Sequence, residues 1–279
     1  MSGKILVLAA GGTVGSKLVP ALLASGEKVK AATRWATPIA SAETVAFDYA
    51  DPSTFAVALD GVDRVFALTP NGYLDPVGLL KPILAQAADR GMKIVLQTAI
   101  GVDANDKIPH RQLELFVQST GVPHIFLRPN WFADNFHTFW LGKISRGELD
   151  LPAADGKVSF IDARDIAACA AGVLTTSNFD NQAFVLTGPE ALSYAEAAVI
   201  LSRVTGIQIA YRPIDDDAFI ERLKAAGAAE DYARYLAMLF LSTREGRAGV
   251  VTSDVERLTG LPPRTLETYA SDNAAALRA

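Results

Sequence analysis

Lys4-Ile5-Leu6-Val7-Leu8-Ala9-Ala10-Gly11-Gly12-Thr13-Val14-Gly15 is the stretch that decides the fold. Its first half, Lys4 to Ala9, is a continuous apolar run, as expected of a strand covered on both faces within a parallel sheet. A loop of small residues follows. Val14, Leu18 and Leu22 then recur at four-residue spacing with Val19 and Leu23 beside them, and Ser25-Gly26 ends the pattern, glycine being the usual residue just past a helix. Strand, glycine loop and helix in that order are the context a dinucleotide-binding fingerprint requires. The start of a helix offers free N–H groups and a partial positive charge, and so receives a pyrophosphate. Gly11, Gly12, Thr13, Val14 and Gly15 are therefore the expected phosphate cradle: Gly12 admits the phosphates to the backbone, and Gly15 lets the helix pack closely on the strand. A plain tight turn would explain the loop alone, but not the repeats that follow it. A P-loop is excluded by order, because Gly15 is followed by Ser16-Lys17 rather than by Lys-Ser.

The same cycle continues outward. Val29 to Thr33, Thr44 to Asp48, Arg64 to Leu68, Lys93 to Thr98 and His124 to Leu127 read as strands two to six. Helices fall between them: a short one after Asp51-Pro52, one from Asp75 to Arg90 with a bend at Pro82, and one from Lys107 to Ser119. Strands alternating with helices imply parallel strands joined by right-handed crossovers. The fold class is α/β, a Rossmann-type parallel sheet with helices on both faces and a smaller, mostly helical C-terminal lobe. After Asn130 the rhythm changes. Residues 136–156 carry aromatics, glycines and a proline, Asp162 to Leu174 reads as a helix, Ala183 to Thr187 as a seventh strand, and the alanine-rich chain from Ser193 is mostly helical. The expected division is an NAD(P)-binding domain of residues 1–135 and 157–190, and a substrate-binding lobe of residues 136–156 and 191–279. Ligands of open α/β sheets bind beyond the carboxyl ends of the strands, so a lobe there would enclose the substrate.

Composition removes other classes. The chain has 279 residues, half of them hydrophobic, with a formal net charge of -5 and a pI near 5.3. This is enough for a sizeable core, and the acidic balance argues against nucleic acid as a partner. The single cysteine, Cys169, lies in the apolar run Ile166 to Ala171, so it reads as buried and inert. Ile5 to Ala10 is too short for a secretory core, and no run approaches a membrane span. The expectation is a cytoplasmic protein, monomer or homodimer, acting on a small-molecule substrate. The three histidines have no metal-ligand spacing, so no metal is expected, and no Gly-x-Ser-x-Gly elbow is present.

The second strand selects the dinucleotide. NAD sites place an acidic residue near its end, whereas NADP sites use an arginine for the 2′-phosphate. Here the strand ends Ala31-Ala32-Thr33-Arg34. Arg34 points to NADP(H), since a guanidinium pairs bidentately with phosphate; a solvated surface arginine is the other reading. Asp48 and Tyr49 follow the third strand as candidates for the adenine pocket. Thr69, Pro70 and Asn71 follow the fourth, and Thr98, Ala99 and Ile100 the fifth. Pro129, Asn130, Trp131 and Phe132 follow the sixth and are expected at the nicotinamide. Trp131, Phe132, Phe136, Phe139 and Trp140 form either an aromatic wall for a flat substrate or the packing of the lobe.

The whole chain resembles the NmrA-like branch of the atypical short-chain dehydrogenases. The resemblance rests on Gly11-Gly12-Thr13-Val14-Gly15, the strand ending in Arg34, Arg128-Pro129-Asn130-Trp131-Phe132 with Asn135, and Phe160-Ile161-Asp162-Ala163-Arg164-Asp165-Ile166-Ala167. Within that branch it looks most like triphenylmethane reductases and small NADPH-dependent quinone reductases. Two departures stand out. Ala9 occupies a position where many relatives have glycine. None of the seven tyrosines has a lysine four residues later, so the Tyr-x-x-x-Lys proton relay of the wider superfamily is missing.

In its place stands His110-Arg111-Gln112-Leu113-Glu114. The same His-x-x-x-Glu spacing occurs in the reductases this chain resembles. Four residues apart on a helix, His110 and Glu114 share a face. His110 is the candidate proton donor, with Glu114 orienting it and favouring its charged form; a capping or surface pair is the alternative. Two functions follow. The first is an NADPH-dependent reductase of a quinone or triarylmethane-dye-like acceptor. The second is a non-catalytic NADP-binding redox sensor acting through a protein partner. Sugar-nucleotide epimerisation would need the missing tyrosine–lysine pair.

Overall fold

In the computed structural model, residues 3–278 are described. In chain order the elements are β1 (Lys4–Val7), α1 (Gly15–Ala24), β2 (Val29–Thr33), β3 (Glu43–Ala46), α2 (Phe55–Leu59), β4 (Val62–Leu68), α3 (Pro76–Asp89), β5 (Lys93–Gln97), α4 (Pro109–Ser119) and β6 (His124–Pro129). There follow α5 (Leu141–Ile144), β7 (Glu148–Leu151), β8 (Lys157–Val158), α6 (Ala163–Leu174), β9 (Gln182–Leu186), β10 (Leu192–Ser193), α7 (Tyr194–Thr205) and β11 (Ala210–Pro213). The chain ends with α8 (Asp216–Ala225), α9 (Glu230–Arg244), α10 (Asp254–Thr259), α11 (Leu266–Asp272) and α12 (Ala274–Leu277).

The chain forms two compact units, the first made of residues 1–129, 163–186 and 254–260. Its sheet has seven strands in the order β3-β2-β1-β4-β5-β6-β9, every neighbouring pair parallel. This is the doubly wound order, with its switch point between β1 and β4. Central strands such as β1, β5 and β6 are buried almost throughout, which is why they read as continuous apolar runs. One sheet face packs Leu6, Leu8, Val65, Ala67, Ile94 and Leu96 against Leu80, Ile83 and Leu84 of α3 and Leu113 and Val117 of α4. The α3 helix continues through Pro82.

A C-terminal helix belongs to this first unit. The Asp254 carboxylate accepts the Val185 N–H of edge strand β9 at 2.8 Å, which satisfies a donor that would otherwise invite pairing with another chain. Arg257 lies over the Phe184 ring at 5.1 Å. Leu258 O packs so closely on α6 that a Cβ at Gly172 would meet it at 2.9 Å.

The second unit comprises residues 130–162, 187–253 and 261–279. Its core gathers Phe136, Trp140, Phe160, Tyr194, Phe219 and Phe240 with apolar residues of the helices. Besides helices it holds two small sheets, β8 with β10 antiparallel and β7 with β11 parallel. A reciprocal capping box between Ser193 and Glu196 starts α7, and Gly206 in the left-handed region ends it.

Candidate active site

Parallel strands bring their carboxyl ends to one edge, and the first unit places most of the expected site residues there. The glycine loop leaves β1 with Ala9 in the left-handed region at φ +51°, a conformation that costs a non-glycine residue about 1 kcal/mol. The Gly12 N–H donates to Ala9 O at 2.9 Å, and the Ser16 N–H to Gly12 O at 2.9 Å. A Cβ at Gly15 would lie 2.4 Å from Ala9 O and 2.7 Å from Ala10 Cα. Only glycine therefore lets α1 begin this close to the loop. A Cβ at Gly12 would meet Ala9 O at 3.1 Å, whereas Gly11 faces open space. The start of α1 has no side-chain cap and no acidic residue in its first turn, in contrast to α3 and α8, which Asp75 and Asp215 cap. Among the described residues the N–H groups of Thr13, Val14 and Gly15 have no acceptor. A helix start left in this state suits an anion.

Arg34 follows β2 directly and is exposed. The turn after it is held by the Thr37 N–H donating to Thr33 Oγ1 at 2.8 Å. Asp48 is committed locally: its Oδ1 accepts the Ala50 N–H at 2.9 Å. The Tyr49 hydroxyl donates to Leu68 O at 3.3 Å, and burial pushes its pKa far up.

At the ends of the next two strands stand two buried polar atoms with no partner, Thr69 Oγ1 and Gln97 Oε1. Leaving such an atom unpaired costs about 1–3 kcal/mol. Turning the Gln97 amide over would only exchange its two polar atoms. Gln97 ends β5 opposite Leu68 of β4, one residue before Thr69. It alternates with Val95 and Lys93 on one sheet face, and the Lys93 ammonium there reaches Thr176 O. Sequence reasoning missed Gln97; its only signal was a polar residue ending the apolar run Ile94-Val95-Leu96. The glycine cradle, the uncapped α1 and these orphaned atoms on one edge fit a dinucleotide.

Beside them lies a charge cluster. Glu114 is fully buried and engages Arg128 bidentately, with Nε to Oε1 at 2.9 Å and Nη2 to Oε2 at 2.7 Å. It also accepts from Thr98 Oγ1 at 2.8 Å and from Arg111 Nη1 at 3.0 Å. Arg128 reaches on to Asp103 at 2.6 Å. Burial opposes the Arg128 charge, yet Glu114 and Asp103 outweigh it and hold its pKa above the ordinary value. The cluster ties the first turns of α4 to the ends of β5 and β6.

This corrects the expected His110–Glu114 pair: among the described residues no hydrogen bond joins them, because guanidinium and hydroxyl donors fill the carboxylate. His110 occupies the second position of α4, behind Pro109. Burial lowers its pKa, and the Glu114 charge only partly offsets this. The positive end of α4 acts in the same direction as burial, and both favour the neutral imidazole.

Pro70 follows Thr69 half-buried, and Pro129 O accepts the Ile100 N–H at 3.0 Å. Asn130, Trp131 and Phe132 belong to the second unit. The Asn130 amide donates to Ser159 Oγ and Ala248 O, each at 2.7 Å, and its Oδ1 accepts the Trp131 N–H at 2.9 Å. Trp131 lies 4.8 Å from Phe240, and Phe132 bridges to Ile161. Of the expected aromatic wall, Phe136 and Trp140 are buried in that unit's core while Phe139 is exposed. Burial raises the Cys169 pKa. Among the described residues no group of three or more His, Cys, Asp or Glu side chains is placed to hold a metal, and no helix is long and apolar enough to cross a membrane.

The profile of the NmrA-like family matches residues 1–270. The chain belongs to the NmrA-like family. Its relatives there include an NAD(P)H azoreductase of Xenophilus azovorans, 35% identical over 286 residues and 99% of each chain. An uncharacterized oxidoreductase of Bacillus subtilis, YesF, is 34% identical over 277 residues, covering 97% of this chain and 95% of its own. Among solved structures, the NADPH complex of an Escherichia coli NADPH-dependent quinone oxidoreductase superposes with a TM-score of 0.85 at 21% identity, covering 96% of this chain and 99% of that one. At that identity the likeness is one of fold, and it places this NmrA-like chain among proteins built on the same doubly wound sheet.

Proposed function

We propose that the protein is an NADP(H)-dependent reductase of small, flat, conjugated acceptors: quinones, azo compounds or triarylmethane dyes. The observation that carries this reading is the glycine loop, where α1 begins uncapped against Ala9 and Ala10 at a distance only Gly15 permits. The azoreductase relative and the quinone oxidoreductase neighbour support it. In this reading Gly11 to Gly15 cradle the pyrophosphate, Arg34 takes the 2′-phosphate, and Thr69, Gln97 and Pro70 border the nicotinamide half. A bound reduced nicotinamide supplies hydride.

The residues at the edge do the rest. Glu114 and Arg128 hold the first turn of α4 at the strand ends, and so fix the position of His110. Acceptors differ in what they ask of it. A cationic triarylmethane dye becomes neutral on receiving hydride and needs no proton, whereas a quinone needs one proton for each hydride. His110 is the proton donor for the second class. Its lowered pKa makes the imidazolium a stronger acid but scarcer at neutral pH.

Quinone reduction by the wild-type protein should therefore speed up as pH falls toward 6, while dye reduction stays flat. His110→Ala should slow quinone turnover by about 10²-fold or more, abolish that pH dependence, and leave dye turnover within a few-fold. NADPH oxidation with both acceptors between pH 5.5 and 8 checks this. Equal losses with both acceptors would remove the proton-donor role. Binding of NADPH without turnover of any acceptor would overturn the reductase reading.

A further inference from the structure

At 82%, Trp35 is more exposed than any other large hydrophobic side chain among the described residues. It directly follows Arg34, at the carboxyl end of β2. The chain turns sharply there: the Thr37 N–H is tied to Thr33 Oγ1 at 2.8 Å, and Ala36 takes φ +49°. Arg34 and Trp35 are both exposed at the strand end, and no ring of the protein stacks on the indole among the described residues. A doubly wound sheet that seats pyrophosphate at the start of α1 carries the adenosine half toward β2. A guanidinium and an uncovered indole side by side match a phosphate and a flat heteroaromatic base side by side.

We propose that Trp35 is the adenine platform of the dinucleotide site, its indole face stacking on the base whose ribose 2′-phosphate pairs with Arg34. The proposal rests on the NADP(H) reading of the preceding section. Base–aromatic stacking tolerates small shifts in geometry and contributes substantially to affinity, so a platform on a loop is effective without hydrogen-bonding the base.

The test uses 2′,5′-ADP, which carries the adenine and the 2′-phosphate but no nicotinamide, titrated calorimetrically into the full-length protein. Trp35→Ala should weaken 2′,5′-ADP by about 10-fold or more, and Trp35→Phe should recover most of the loss. Wild-type tryptophan emission should be quenched by 2′,5′-ADP, and Trp35→Phe should lose the part of that quenching that comes from the stacked indole. If wild type and Trp35→Ala bind 2′,5′-ADP equally, the platform is overturned while the cofactor reading stands. If wild type binds neither 2′,5′-ADP nor NADPH, both are overturned.

Discussion

Replacing Glu114 by alanine is expected to destabilise the fold by about 3–5 kcal/mol, the usual effect of removing one partner from a buried ion pair. Glu114 is fully buried and takes four hydrogen bonds, two from Arg128 and one each from Thr98 and Arg111. Without it the Arg128 guanidinium, itself buried, keeps only Asp103, whose carboxylate is half exposed. The cost therefore comes from the stranded cation more than from the lost bonds. Removing both charges tests that origin. Glu114→Gln with Arg128→Met should be markedly more stable than Glu114→Ala, because no buried charge is then stranded and the Asp103 carboxylate that loses Arg128 is half exposed. Urea unfolding of the three proteins measures the difference. A loss under about 1 kcal/mol for Glu114→Ala would mean that the pair behaves like a surface salt bridge.

Arg34→Asp should reverse the dinucleotide preference. Charge-assisted hydrogen bonds to a phosphate contribute about 1.5–3 kcal/mol, and a carboxylate in the same place adds repulsion. NADPH affinity should fall on the order of 100-fold or more. NADH has no 2′-phosphate to repel, and a carboxylate is the group that grips ribose hydroxyls, so its affinity should hold or rise. Because Arg34 is exposed and makes no ion pair among the described residues, the substitution should leave the melting temperature nearly unchanged. Titration of both dinucleotides against both proteins checks this, and equal losses would remove the case for 2′-phosphate recognition.

The sheet was legible in the sequence to within one or two residues per strand, for a physical reason. A strand covered on both faces is apolar along its middle, with glycine or a polar turn beyond its end. Ile5 to Val7 and Ile94 to Leu96 are such runs inside their strands. The small strands of the second unit do not. Lys157–Val158 and Leu192–Ser193 are two residues long, too short for any period to show. Nor did the sequence show that α10 returns to the first unit, because that depends on Asp254 meeting a β9 N–H 69 residues earlier in the chain.

Within the candidate site, the close start of α1 on the glycine loop and the place of Arg34 after β2 were readable because both lie in consecutive residues. The His110–Glu114 pair misled for the same reason. Spacing on one helix favours local partners, but Arg128 arrives from another strand with a planar fork that a histidine cannot outcompete. Gln97 was missed because an orphaned oxygen is a fact of packing. No spacing rule would single it out.

Hydride transfer from the nicotinamide to the acceptor is tested by isotope labelling. The purified protein would be given NADPH deuterated at the transferring C4 position and a cationic triarylmethane dye in ordinary water, and the colourless product weighed by mass spectrometry. One deuterium is expected on the central carbon of the product, a position that does not exchange with solvent. A product without deuterium, or no product while NADPH is bound, would contradict hydride transfer.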